Sequence, residues 1–98
     1  MDDYNRWRLL ANSFPCLRRM VAGERLPADY TPESLGWLSE NVAISTAERS
    51  VFSFLLHVWN QYDFSFTLSE TRLWDESSRQ AFAGWADGRT LGEPLRYF

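Results

Sequence analysis

At 98 residues, with 45% hydrophobic and 23% charged residues, the chain is long enough to close one core and too apolar to stay disordered. All ten basic residues are Arg, and a chain without Lys has no lysine for a phosphate loop, no Schiff base and no lysine general base. The net charge of −3 is unevenly placed, with five Arg against three acids in residues 1–28 and five Arg against ten acids after them, a balance that argues against non-specific nucleic-acid binding.

From Asp3 to Ala22, Tyr4, Trp7, Leu10, Phe14, Leu17 and Val21 recur at three- and four-residue spacing, the period of an amphipathic helix. Pro15 lacks an N–H and clashes with the preceding turn, which predicts a break near Asn12–Phe14. A second helix should then run from Pro15 to Ala22, with Gly23 as the left-handed residue that ends it. Glu24–Asp29 reads as a connection. Thr31-Pro32-Glu33 is a helix start: a capping hydroxyl, a proline at the first position and an acid at the positive end of the dipole. Tyr30 and Leu35 are placed as a hydrophobic staple. This helix should end near Asn41, with Leu35 and Leu38 inward and Trp37 flanking them.

Ser45 and Glu48 form a capping-box signature for the helix that dominates the sequence, Ser45–Asn60. Val51, Phe52, Phe54, Leu55, Leu56, Val58 and Trp59 cover most of its circumference. Ser50, Ser53, His57 and Asn60 leave one narrow polar stripe. A helix apolar nearly all round must be enclosed, by the chain's own remaining helices or by a second polypeptide.

Beyond it the period changes. Tyr62, Phe64, Phe66 and Leu68 alternate with polar residues, which reads as an extended connector laying aromatics on the core. The alternative is a short strand pairing with Val42–Ile44, with Leu95–Phe98 or with another chain. A last helix is predicted from Glu70 to Asp87, capped by Ser69 with Leu68 and Leu73 as a staple; alternatively Asp75 starts a second helix and breaks it in two. Trp74, Ser78, Phe82 and Trp85 share one stripe, and Ser77, Ala81, Gly84 and Gly88 form a neighbouring stripe of small residues. Thr90–Phe98 is a tail. The fold class expected is mainly α: one compact domain over residues 1–98, four to five helices around a central apolar helix at about 46–60, with the extended aromatic segment 62–68.

Few chemistries suit these residues. One Cys excludes an internal disulfide framework, and one His with one Cys cannot build a structural zinc site. Asp2-Asp3 and Asp75-Glu76 match no calcium-loop spacing, and the glycines follow no phosphate-cradling pattern. No metal, cofactor or small-molecule ligand is implied. His57 is the one candidate general acid/base, so a small enzyme or enzyme subunit is the main alternative function; a helical nucleic-acid-binding regulator is the second, with an apolar central helix poorly suited to a groove. MDDYNRWR has neither the basic start nor the apolar run of a secretory signal, and no segment approaches a membrane span, so a reducing cytoplasm is expected.

Trp, Tyr and Arg dominate binding energy at protein interfaces. Five Trp, four Tyr and seven Phe exceed what one small core should need. The function expected is therefore a non-enzymatic module that binds another protein or a second copy of itself. Arg6, Trp7, Arg8, Trp37, Arg96, Tyr97 and Phe98 are the candidate exposed anchors.

Overall fold

The central helix is enclosed by its own chain. A computed structural model describes residues 2–98, leaving Met1 outside the described residues, and gives five α-helices and one 3₁₀ helix: α1 (Asp3–Asn12), α2 (Pro15–Ala22), α3 (Pro32–Asn41), α4 (Thr46–Trp59), the 3₁₀ helix Leu68–Leu73, and α5 (Glu76–Ala86). Val51, Phe52, Phe54, Leu55, Leu56 and Val58 of α4 are all buried. Phe54 is the hub. The rings of Phe14, Phe66, Trp74, Phe82 and Trp85 surround it at centroid distances of 5.1 to 5.8 Å, mostly tilted or edge-on. Aromatic pairs in these arrangements are worth about 0.5–1.5 kcal/mol each beyond the area they bury. The surplus of aromatics is thus largely absorbed by the core.

The helix ends follow their capping residues. Ser45 Oγ accepts from the Glu48 N–H at 3.0 Å while Glu48 Oε1 accepts from the Ser45 N–H at 2.9 Å. Thr31 caps α3 with Ser34 returning the bond at 3.1 Å. The break between α1 and α2 comes at Phe14, whose extended backbone (φ −88°, ψ 120°) is what a following proline imposes. The end of α2 departs from expectation. Gly23 has φ −86°, and the left-handed residue is Glu24 at φ 59°. The chain carries its helical turn one residue further, and bonds from Glu24 N–H to Val21 O and from Arg25 N–H to Met20 O close a Schellman motif around that acid.

The segment 62–68 forms no strand, and among the described residues there is none. Only Phe66 packs against the core, on Phe54 and Trp74. Tyr62 is 91% exposed, and Phe64 and Leu68 are also exposed. Alternation alone does not bury a strand that finds no neighbouring ladder. The helix predicted from Glu70 is divided as the Asp75 alternative has it. Trp74 is extended (φ −91°, ψ 153°), and Asp75 caps α5 by accepting from the Ser78 N–H at 2.9 Å. Thr67, not Ser69, opens the 3₁₀ helix, and Leu68 and Leu73 are exposed instead of stapled. Among the described residues no helix is long and apolar enough to cross a membrane.

Candidate functional site

Of the seven residues expected as exposed anchors, six hold the fold together. Trp7 is 0% exposed: its Nε1–H donates to Leu55 O of α4 at 3.0 Å, and its ring meets Tyr30 and Trp59 edge-on. Its helical phase, shared with Leu10 and Phe14, points it inward despite the charged neighbours. Those neighbours are staples. Arg6 donates to Leu91 O at 2.8 Å and Arg8 to Tyr30 O at 3.0 Å, each half-buried.

The tail is likewise a strap. Trp85 Nε1–H donates to Arg96 O at 2.7 Å, and the Phe98 N–H donates to Val58 O at 2.9 Å. The Arg96 guanidinium lies 4.7 Å over the Phe98 ring, and Tyr97 is half-buried against the core. Neither Arg96, Tyr97 nor Phe98 projects freely.

His57 helps to hold that strap. Its Nδ1 lies 2.7 Å from Phe64 O and its Nε2 3.2 Å from the Tyr97 hydroxyl. A carbonyl oxygen can only accept, so Nδ1 carries a proton and, in the neutral ring, Nε2 accepts from Tyr97. Both nitrogens are spent on joining α4 to the 62–68 segment and the tail.

Where α2 meets the first turns of α4 and α5, Cys16, Arg19, Glu48, Asp75 and Ser78 line a hollow of 330 Å³. Its two carboxylates are held by neighbouring hydroxyl and backbone N–H groups. Burial opposes ionisation of Glu48, but hydrogen bonds from Ser45 and the nearby Arg25 outweigh it and hold the carboxyl below its ordinary value. The Ser78 backbone N–H, then the Ser78 and Ser77 hydroxyls, hold Asp75 below its own. Burial pushes the Cys16 thiol up to about 11, far from the thiolate that reaction or metal binding needs. Both helix N-termini that face it are thus occupied by carboxylates of their own chain.

An apolar surface that the sequence does not mark lies around Leu68 and Leu95, both exposed, at the edge of a 240 Å³ hollow floored by Phe66, Phe82 and Tyr97. Leu95 has φ 54°, a left-handed value that a leucine seldom adopts. Only the folded tail brings it beside Leu68, so no local pattern signals it.

Trp37 remains. It is 59% exposed, on an α3 whose inner stripe, Leu35 and Leu38, is buried. That packing turns Glu33, Trp37 and Glu40 outward, all three exposed, within about 60° of one another around the helix axis. The indole borders a 280 Å³ hollow lined by Arg25, Leu26, Pro27, Ser34 and Leu38. Arg25, the cation in that wall, is paired with Glu48 at 3.3 Å. The remaining tryptophans are buried, or in the case of Trp59 half-buried between Tyr4 and Phe98 at 5.0 and 5.8 Å. No family model, curated protein or solved structure matches this chain.

Proposed function

We propose that this protein is a non-enzymatic interaction module of the cytoplasm that binds another protein through a surface centred on Trp37. The observation that carries the reading is the contrast among the five tryptophans: four are committed to packing or hydrogen bonds within the fold, and Trp37 lies open beside an apolar hollow. A large rigid ring next to a concavity is the usual form of an interface hot spot, where truncation to Ala costs about 2 kcal/mol or more, roughly thirtyfold in affinity. A free, buried Cys16 agrees with a reducing compartment.

The test is capture from native lysate with the wild-type chain and with Trp37→Ala, followed by affinity measurement on any protein retained. The reading expects a partner whose affinity falls at least tenfold with the variant while its thermal unfolding is unchanged. Equal capture by both chains, or no retained protein, overturns it.

A further inference from the structure

We infer that the partner presents a basic segment, and that an Arg or Lys of it stacks on the Trp37 indole between the carboxylates of Glu33 and Glu40. The inference rests on Trp37 being the binding surface and adds the chemistry of what covers it. A cation over the face of an indole is attracted by the ring quadrupole, most strongly for Trp. Carboxylates on either side draw the same cation and steer a basic segment toward the surface. Glu33 and Glu40 stand one turn before and one turn after Trp37 on the outer stripe, and neither forms an ion pair among the described residues.

Glu33 has a reason internal to the fold, since it sits in the first turn, where the helix dipole favours an acid. Glu40 has none. It lies in the last turn of α3, where the dipole disfavours negative charge. Arg49 supports that helix end by donating to Ser39 O at 2.8 Å, and it forms no ion pair with Glu40. α3 itself carries no basic residue, and Arg25 across the hollow is paired with Glu48 at 3.3 Å. The outer face of α3 is therefore an exposed aromatic ring between two carboxylates that have no ion-pair partner among the described residues. Apart from its chain neighbours and its own helix backbone, nothing stands within 4 Å of where a Cβ on Gly36 would be, so the position next to Trp37 is also open. That electrostatic pattern fits a cationic segment and repels an acidic one.

The test uses the full chain labelled with ¹⁵N, in which each tryptophan indole N–H gives its own signal. The probes are an amphipathic peptide of Leu and Arg and a twin carrying Glu in place of every Arg. The Arg peptide is expected to move the Trp37 indole signal together with the backbone signals of Glu33 and Glu40, while the Glu twin leaves them in place. Glu33→Gln combined with Glu40→Gln should weaken the Arg peptide about five- to tenfold at low salt, the sum of two exposed charge pairs, and added salt should narrow that gap. Equal movement of Trp37 with both peptides overturns the basic partner and leaves Trp37 standing as an apolar contact. Movement of the Trp37 signal on concentrating the protein without peptide overturns it in favour of a second copy. If neither peptide reaches Trp37 the inference also fails, and the capture experiment with Trp37→Ala then decides separately whether that face binds protein at all.

Discussion

The Trp74 indole N–H donates to the Ser50 hydroxyl at 2.9 Å inside the protein, and that hydroxyl in turn reaches Glu70 Oε1 at 3.2 Å. One serine on the polar stripe of α4 thus ties the helix both to the ring that follows the 3₁₀ segment and to the acid that caps it. Ser50→Ala leaves a buried indole N–H without a partner, which should destabilise the fold by about 1–3 kcal/mol. Urea unfolding measures it. In a Trp74→Phe background the same substitution should cost markedly less, because no donor is stranded; fully additive losses would mean that the hydrogen bond contributes nothing.

Trp7 and Trp37 should respond oppositely to truncation. Trp7→Ala removes a fully buried indole and its bond to Leu55 O, a loss of about 3–5 kcal/mol. That approaches the whole stability of a small domain, about 5–15 kcal/mol, so the variant should melt far below the wild type or fail to fold. Trp37→Ala removes a ring held mainly by solvent and should stay within about 0.5 kcal/mol. Thermal melts followed by circular dichroism separate the two. A Trp37→Ala chain that melts as early as Trp7→Ala would make Trp37 a core residue and remove it as a binding surface.

The same pair shows what the sequence makes legible. The three- and four-residue period that runs through Trp7, Leu10 and Phe14 already places Trp7 on the inward stripe; the flanking Arg6 and Arg8 suggest exposure only if their long side chains are assumed to face water. They reach instead to Leu91 O and Tyr30 O, acceptors distant in sequence that no local pattern can name. The tail is hidden for the same reason, since Phe98 becomes a strap only by meeting the Val58 carbonyl. Caps are local chemistry, which is why Thr31, Ser45 and Asp75 are readable in advance. Trp37, beside Leu35 and Leu38 but off their stripe, is readable as well. The charge pattern around it becomes meaningful only once Arg25 is seen to be taken by Glu48.

Two glycines should shift stability in opposite directions. Gly36 lies inside α3 with open space around its missing side chain, so Gly36→Ala should stabilise the protein by about 0.5–1 kcal/mol through helix propensity alone. Gly88 has φ +88°, and a Cβ there would come within 3.0 Å of the Pro94 nitrogen and 3.1 Å of the Glu93 carbonyl carbon. Gly88→Ala should therefore cost at least about 1–2 kcal/mol from the left-handed backbone alone, with the collision against the returning tail added. Urea midpoints for both variants give the signs directly, and a stabilising Gly88→Ala would contradict the described path of the tail.

Acid should weaken the cap of α5 within a definable window. The Asp75 carboxylate accepts from the Ser78 N–H at 2.9 Å and from the Ser77 hydroxyl at 3.0 Å, and these bonds hold its pKa below the ordinary 3.8. A carboxyl depressed in the folded state stabilises it fully above the unfolded value, and the contribution drains away as pH falls from there through the lower folded value. Asp75→Asn keeps a side-chain oxygen for the cap but cannot ionise. At neutral pH the wild type should be the more stable of the two, by a margin kept small because this carboxylate faces solvent and salt. That margin should close as pH drops below 3.8. Asp75→Ala, which removes the cap itself, should instead lie about 1 kcal/mol below Asp75→Asn at every pH. Urea unfolding across a pH series resolves the three chains. A gap between wild type and Asp75→Asn that stays constant into strong acid would mean that the charge on Asp75 plays no part in holding α5.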